Sequence, residues 1–201
     1  MPGSRILQRC TVSLLEDEQG SALLEFAIVL PLLVVFVVGI YDFSGAFNQK
    51  LKMEQAAQEG AIVAGAQPMS DIEPLNLNPD SLQPVVVAVF NSLAAGGFMP
   101  NANTGGGCIM PPPSPVHDTG TSNLKWVYNI SGCSSYSGDQ LSITINRGSV
   151  APGSPLAIAT AVTIEYPYHW RFNSVIQLLI PGASYAAKTP LREIATVHNQ
   201  M

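Results

Sequence analysis

The feature that most constrains what this chain can fold into is an apolar run from Ala22 to Ile40 with one charge in it, Glu25. As a helix the run is about 28 Å long at ~1.5 Å per residue, which just spans a hydrocarbon core of ~30 Å. A carboxylate at the centre of a bilayer costs roughly 2.5–3.5 kcal/mol, so a charge kept inside such a run indicates a function. The run therefore predicts a single membrane-spanning helix that carries a functional acid.

The distance of Glu25 from Gly20 suggests what that function is. A cut after Gly20 would make Glu25 the fifth residue of the product and would give Ser21 a new amino terminus. An ammonium and a carboxylate each lose several kcal/mol on leaving water, and contact between them offsets that loss. We expect the two groups to pair, within one subunit or between neighbours. The alternative is that Glu25 lies near the membrane edge and extends to the headgroups.

The sequence GSALLEFAIVLPLL, which begins at Gly20, resembles the processing site and membrane helix of the TadE-like pilins. These are relatives of the type IV pilins, associated with the tight-adherence (Flp) pilus machinery. The resemblance covers residues 18–66 and includes the stretch AAQEGA at residues 56–61. The family usually has arginine where Gln58 and Ile62 stand, so contacts of those arginines are not expected here. Three further matching residues lie at the end of the span: Gly39, Asp42 and Phe43.

The resemblance implies a processing step and a set of partners. An intramembrane aspartyl peptidase, the prepilin peptidase, would cut between Gly20 and Ser21 from the cytoplasmic side, and Glu25 would pair with the amine of a neighbouring subunit. The implied partners are this peptidase, other pilin or pseudopilin subunits and the pilus assembly platform. The implied parts of the chain are a cytoplasmic leader (1–20), a transmembrane and stem helix (21–66) and an extracytoplasmic head (67–201).

The charges that flank the apolar run do not decide its orientation, because two basic residues precede it and two follow it. These are Arg5, Arg9, Lys50 and Lys52. The resemblance and the cysteine pair described below both place residues 48–201 outside the cytoplasm. We therefore expect a single-pass protein of the cytoplasmic membrane whose head is extracytoplasmic and which can enter a pilus.

An ordinary secretory signal is the alternative interpretation of the N-terminal region. It would cover residues 1–46, with Ser44, Gly45 and Ala46 as the small residues of the cleavage site. The fit is poor, because the region before the apolar run would be long and would carry three acidic residues beside it. Mass spectrometry of the mature N-terminus distinguishes the two interpretations, which begin the protein at Phe47 or at Ser21.

The cysteines form an even set once the leader is removed. Cys10 leaves with the leader, whereas Cys108 and Cys133 remain. An even pair outside the cytoplasm indicates a disulfide, and closing a loop of this size contributes roughly 3 kcal/mol on chain-entropy grounds. The alternative is two unrelated buried thiols.

The helix that holds the apolar run is predicted from Ser21 to Ala66, because small and apolar residues continue a helical pattern beyond the membrane. Pro31 removes one backbone hydrogen bond in the middle of the span and predicts a kink. Proline also disfavours helix at the residue before it, so Gln67 and Pro68 end the helix. The small residues beyond the span predict close packing on the head or on neighbouring helices.

The head is predicted to combine one helix with an antiparallel sheet, which gives an α+β fold. Pro84 occupies the first turn of a helix, Val85 to Ala95, which is followed by two glycines. Tyr166 and Pro167 are similar to a Tyr-Pro turn that often follows a strand in the family. The predicted strands are Leu124 to Ile130, Gln140 to Asn146, Ala157 to Tyr166, Val175 to Ile180 and Ala183 to Lys188.

Charge and motifs exclude several functions. The net charge is −5, and removal of the leader, whose own net charge is −1, leaves −4, so no nucleic-acid partner is expected. His117, His169 and His198 are scattered, and the chain has no zinc-ligand spacing, nucleophile elbow or phosphate loop. We therefore expect no metal, no cofactor and no enzymatic activity. Five aromatic residues are predicted to form the core of the sheet: Trp126, Tyr128, Tyr166, Tyr168 and Trp170.

Taken together, these features predict a TadE-like minor pilin or pseudopilin that contributes to assembly of a tight-adherence type IV pilus and to surface attachment. The alternative is a single-pass, membrane-anchored binding or adhesion protein that shares the anchor and never joins a pilus. A secreted hydrolase is a third hypothesis, for which no residues stand out.

Overall fold

A computed structural model of the chain describes residues 17–97, 99–102, 108, 110, 112, 114–118, 124–151, 157–172, 177, 182 and 188–199. In these residues a long N-terminal helix precedes a small domain with a second helix and a five-stranded antiparallel sheet. The predicted α+β class is confirmed.

The first helix, α1, is Asp17–Ala66, whose 50 residues give a length of about 75 Å at ~1.5 Å per residue. It already includes the four residues before Ser21, from the first residue that the structure describes, and it is continuous through Pro31. It ends at the predicted residue, because the chain reaches Pro68 two positions later.

A buried arginine of the sheet also satisfies the end of α1. The last carbonyl groups of a helix have no partner within it and need donors from elsewhere. The fully buried Arg147 donates from Nη1 to the carbonyl oxygen of Ala64. Its Nη2 donates to the carbonyl oxygens of Gln67, at 2.9 Å, and of Pro68, at 3.1 Å. One guanidinium therefore fixes the point at which the chain leaves the stem.

The second helix, α2, is Gln83–Ala95, and a single 3-10 turn, Asp80–Leu82, leads into it. Pro84 lies in its first turn, where a missing N–H leaves no helical hydrogen bond unmade. The chain turns away at Gly97, whose φ of 72° lies in the left-handed region that favours glycine. One face of the helix is fully buried and consists of Val85, Val86, Val89, Phe90 and Leu93.

The five strands are adjacent in the order in which they occur in the chain, and each is antiparallel to the next. They are β1 (Val116–Asp118), β2 (Lys125–Ser131), β3 (Gln140–Ala151), β4 (Ala157–His169) and β5 (Lys188–His198). The β3–β4 register shifts between Asn146 and Ser149. This order places β4 and β5 against α1, so the stem crosses the side of the sheet that holds these two strands.

The later part of the sheet differs from the sequence-based prediction. The predicted Tyr-Pro turn is wrong, because β4 continues through Pro167, which is paired with Pro190 of β5. Strand β5 was not predicted, except for its first residue, Lys188, which was the last residue of a predicted strand. Of the segment Val175 to Ile180 the structure describes only Gln177, which is helical and does not fit the predicted strand. The predicted strand Ala183 to Lys188 lies outside the described residues except for Lys188.

The core lies between the helices and one face of the sheet. The part of α1 beyond the apolar run contributes five buried residues: Met53, Ala56, Ala57, Ala61 and Ala64. Of the five aromatic residues predicted as core, Trp126, Tyr128 and Tyr166 are buried, whereas Tyr168 and Trp170 are partly exposed beside the stem. The stem is therefore part of the head's core as well as its support.

Close packing of the two helices depends on Gly60. A Cβ on Gly60 would lie 2.3 Å from Val89 Cγ2 of α2 and 3.4 Å from Val162 Cγ1 of the sheet. Such a short carbon–carbon distance requires a neighbour to move. The small residues of the AAQEGA stretch thus allow α2 and the sheet to approach the stem, as the sequence predicted.

Candidate functional site

The predicted processing residues lie in the first turns of α1. Gly20, Ser21 and Glu25 are all exposed, and a Cβ on Gly20 would meet no atom within 4 Å. Residues four positions apart in a helix lie on the same face, so Ser21 and Glu25 are neighbours on the helix surface. Glu25 has no ion-pair partner among the described residues. The carboxylate is therefore available to a group from outside this chain.

The apolar run of α1 makes almost no contact with the head. Its most apolar window has a mean hydropathy of 2.8 and is 0% buried, so this helix is long and apolar enough to cross a membrane. Exposed side chains surround it, with Leu23 at 71%, Phe36 at 63% and Ile40 at 70% exposure. A helix of this kind in water would leave a large apolar surface uncovered, and lipid or other apolar helices would cover it. The helix remains continuous at Pro31, and the kink stays a prediction.

The head is joined to the stem directly above this run, through Asp42. Its side chain is 2% exposed, a rare burial for a carboxylate. The Tyr168 hydroxyl donates to Asp42. Its oxygen lies 3.0 Å from the side-chain Oδ1 of Asp42 and 2.9 Å from the backbone carbonyl oxygen of the same residue. The backbone N–H of Phe172 donates to Oδ2 at 2.8 Å. Burial first, and then the hydrogen bond to Asp42, raise the pKa of Tyr168 to about 12, so this hydroxyl keeps its proton at neutral pH.

Aromatic rings and a glycine complete this stem–head junction. The Trp170 ring packs edge-on against Phe43 of the stem, at a centroid distance of 5.2 Å, and against Tyr168, at 5.0 Å. A Cβ on Gly45 would lie 2.8 Å from the Tyr168 hydroxyl oxygen, so glycine at this position lets the hydroxyl reach the helix backbone. Asp42 and Phe43, which carried part of the family resemblance, are thus among the residues through which the head is attached.

A second polar cluster, at the same end of β4, centres on Asp139, which is 4% exposed. Its Oδ2 lies 2.6 Å from His169 Nε2 and accepts from Ser134 Oγ at 3.0 Å, and its Oδ1 accepts from Lys188 Nζ at 2.8 Å. Burial alone would raise the pKa of the Asp139 carboxyl, but the hydrogen bonds from Lys188, His169 and Ser134 outweigh it and lower the pKa. The Tyr136 ring stacks on His169 at 3.7 Å. The cluster ties the β2–β3 loop to β4 and β5.

The predicted disulfide is confirmed, since Cys108 and Cys133 are bonded. It links the segment before β1 to the residues directly after β2. Both cysteines are buried and belong to the hydrophobic core cluster. Within the described part of the chain no group of three or more His, Cys, Asp or Glu residues is arranged to hold a metal ion.

The comparison with protein families fits the position of these features. Residues 20–61 match the family model described as TadE-like protein. The stem of this chain is TadE-like. The match begins at Gly20, includes Glu25 and Asp42, and ends at Ala61 in the core-forming part of α1. Comparison with the curated proteins and with solved structures gave no significant match. The TadE-like part therefore covers the predicted processing residues, the apolar run and the stem side of the stem–head junction, and the chain beyond residue 61 is outside it.

Sequence reasoning did not find three of the polar contacts in this structure. Arg147 and Asp139 each depend on partners that are far away in the chain, and nothing in their local sequence predicts burial. Asp42 was noted only as part of the resemblance. The sequence did hold a signal for Asp42. A carboxylate two residues beyond an apolar run and next to a phenylalanine is in apolar surroundings, which indicates that it needs a hydrogen-bond partner.

Proposed function

We propose that this chain is a TadE-like minor pilin or pseudopilin, processed between Gly20 and Ser21 by a prepilin peptidase, that contributes to assembly of a tight-adherence type IV pilus and to surface attachment. The observation that carries the proposal is the family match over residues 20–61 on a helix whose only membrane-embedded charge, Glu25, has no partner among the described residues. We propose no enzymatic activity for it.

The proposed mechanism is a change from inserted precursor to assembly-competent subunit. Hydrolysis of the Gly20–Ser21 peptide bond consumes one water, leaves a carboxylate on Gly20 and frees an amine on Ser21, which is protonated at neutral pH. The carboxylate of Glu25 in one subunit then forms an ion pair with the Ser21 ammonium of its neighbour. Contact between the two charges offsets the desolvation that each undergoes in the membrane, and it sets the axial position of one subunit against the next.

The proposed location is the cytoplasmic membrane, crossed once by α1, with the head outside the cytoplasm. The buried Cys108–Cys133 bond supports this side for the head, since disulfides persist in oxidising compartments. The exposed apolar residues that continue along the stem support packing against other subunits. These are Phe47, Leu51 and Ile62, with 65%, 59% and 66% exposure.

Replacement of Glu25 by alanine tests the proposed pairing. We expect Glu25→Ala to be inserted in the membrane and processed normally but to be lost from purified pili, because the neighbour's ammonium no longer has a partner. The measurement is the amount of this chain that co-purifies with pili, relative to the amount in membranes. Glu54→Ala is the matched control, since Glu54 is an exposed glutamate on the same helix beyond the membrane.

Unchanged co-purification of the Glu25→Ala protein would overturn the mechanism. Absence of the wild-type chain from pili, together with normal membrane insertion, would favour the alternative of a membrane-anchored binding or adhesion protein that does not join a pilus.

Replacement of Gly20 tests the processing step. A Cβ at this position meets no atom within 4 Å, so Gly20→Ala leaves the folded structure undisturbed. Because Gly20 lies inside α1, the peptidase has to unwind the first turns of the helix, and glycine weakens a helix by roughly 0.5–1 kcal/mol relative to alanine. We expect slower cleavage of Gly20→Ala, measured by mass spectrometry of the N-terminus. A mature wild-type chain that begins at Phe47 would contradict the proposal.

A further inference from the structure

We propose that the stem–head junction binds one anionic phospholipid of the membrane that α1 crosses, an inference that rests on the membrane placement proposed above. Two cavities of about 560 Å³ each lie next to one another at this junction, and Ser44 lines both. One is apolar and the other is polar with two cationic side chains. Small-molecule sites occupy roughly 300–1,000 Å³, so each cavity has the size of a binding site.

The apolar cavity is suited to an acyl chain. The stem lines it with Phe36, Gly39, Ile40 and Phe43, and the head closes it with Phe172. A Cβ on Gly39 would already be in contact with the Phe172 ring, at 3.9 Å, so the glycine keeps the cavity open. The cavity lies along the last turns of the membrane run, where the surroundings are the hydrocarbon tails of one leaflet. Those tails are the apolar groups nearest to it.

The polar cavity is suited to a phosphate-containing headgroup. Lys52 and Arg171 line it, together with the hydrogen-bonding side chains of Tyr41, Ser44 and Asn48. Arg171 is exposed and has no ion-pair partner among the described residues. A guanidinium presents a planar fork of donors that matches two phosphate oxygens. Lys52 Nζ donates to the carbonyl oxygen of Gly96 at 2.6 Å and, as an ammonium, has two further protons to donate.

The charge balance of the polar cavity favours an anion. Asp42 is a carboxylate in its lining, but both side-chain oxygens already accept hydrogen bonds, one from the Tyr168 hydroxyl and one from the Phe172 N–H. The two cations exceed this single acid, so the net charge of the lining is positive. An anionic lipid therefore fits better than a zwitterionic one, whose ammonium group would face Lys52 and Arg171.

The height of the two cavities points to a lipid as the occupant. Ser44 lies four residues after Ile40, the last residue of the apolar run, which places it about 6 Å above the hydrocarbon boundary at ~1.5 Å per residue. The headgroup layer of one leaflet is roughly 5–8 Å thick, so the point where the cavities meet is at the level of lipid phosphates. Tyr41 and Trp170 lie beside it, and these residue types are enriched at this level of a membrane. The apolar cavity thus lies at the level of the acyl tails, and the polar cavity lies at the level of the headgroups.

Native mass spectrometry of the full-length protein tests the site. Protein released from membranes in detergent is incubated with equal amounts of phosphatidylglycerol and phosphatidylcholine that carry the same acyl chains. We expect the wild type to retain one phosphatidylglycerol with about tenfold preference. Both lipids offer the same phosphate, but only phosphatidylcholine brings an ammonium group toward Lys52 and Arg171. Arg171→Gln should lose this preference, and Arg171→Lys should keep part of it. Gly39→Leu, which fills the apolar cavity, should reduce retention of both lipids.

Arg192→Gln is the matched control, because Arg192 is an exposed arginine of β5 that pairs with Glu165. Equal retention of the two lipids by the wild type, or equal losses in Arg171→Gln and Arg192→Gln, would overturn the proposal. Displacement of the lipid by millimolar inorganic phosphate would show a simple anion site, and a second protein copy in place of lipid would show a subunit interface. Each of these results also overturns it. Lipid retention is measured without pili, so its outcome is independent of the Glu25→Ala experiment.

Discussion

At the scale of single residues, the buried charges of this protein lie where one part of the structure meets another. Asp42 attaches the head to the stem, Arg147 holds the end of the stem helix, and Asp139 ties a loop to two strands. Each charge has several hydrogen bonds, which is the condition under which a buried charge does not destabilise a fold. The main role of these three residues is to hydrogen-bond one element to another; they do not belong to the hydrophobic core.

Asp139 gives a prediction for stability. We expect Asp139→Asn to lower the free energy of unfolding by about 1–3 kcal/mol at neutral pH, because hydrogen bonds to a buried charged group are lost. The measurement is urea unfolding of the full-length protein in detergent. Glu165→Gln is the control, since its ion pair with Arg192 is exposed on both sides and should contribute less than about 1 kcal/mol. Equal effects of the two substitutions would contradict the assignment.

The same residue sets the direction of the pH dependence. The pKa of Asp139 in the folded protein lies below its ordinary value of 3.8, so the contribution of this carboxylate is fully present above that value. It is lost as the pH falls through the lower, folded pKa. We therefore expect the stability difference between the wild type and Asp139→Asn to be constant near neutral pH and to shrink at pH values below 3.8. A difference that instead shrinks as the pH rises would show that another group is responsible.

At the scale of elements, the approach of α2 to the stem depends on the absence of a side chain at Gly60. We expect Gly60→Ala to lower the free energy of unfolding by roughly 1–3 kcal/mol, the usual cost of overpacking, because its Cβ would lie 2.3 Å from Val89 Cγ2. The double variant Gly60→Ala with Val89→Ala removes the conflicting methyl group. Its loss of stability should be smaller than the sum of the two single losses. Additive losses would show that the two residues are not in conflict.

The elements that the sequence predicted are those specified by local pattern. Each of these patterns is contained in a short stretch of sequence. They are the apolar run of α1, the proline and two glycines around α2, and the alternation of β2 to β4, and the structure contains all of these elements. Strand β5 was missed because its alternation is broken. The charged Glu193 lies on the less exposed side, Ile194 is 52% exposed on the other, and Pro190 stands inside the strand. Proline is accepted there because β5 is at the edge of the described sheet.

The candidate site was predictable to the same extent. The spacing of Gly20, Ser21 and Glu25 is a property of sequence alone and needs no fold. In contrast, the junction of Asp42 with Tyr168 and Phe172 joins residues 126 or more positions apart. Only the order of the strands brings the end of β4 to the base of the stem, and that order is set by the tertiary packing of the whole head.

At the scale of the whole molecule, the part of the stem beyond the apolar run and the head form one folded unit. Five buried residues of α1 lie in the core, and their removal would cost on the order of 5 kcal/mol, which is comparable to the entire stability of a typical domain. We expect a fragment of residues 67–201 to lack a cooperative thermal transition and a fragment of residues 43–201 to show one. Circular dichroism during heating measures this.

Exposed positions of the same helix provide the control for this comparison. Leu51 and Ile62 are on the outside of the stem, at 59% and 66% exposure. The longer fragment with both residues changed to serine should melt near the temperature of its parent, because neither side chain is in the core. A cooperative transition in the 67–201 fragment would show that the head folds without the stem.

The packing of β5 on α1 has a consequence for the timing of biogenesis. A Cβ on Gly65 would lie 2.9 Å from Val197 Cγ1, so the end of the stem is covered by a strand that is synthesised long after it. A chain whose synthesis stops before β5 therefore leaves that part of the stem bare. Synthesis must be nearly finished before the head acquires its final shape, and incomplete chains are distinguishable from complete ones by any partner that binds the finished head.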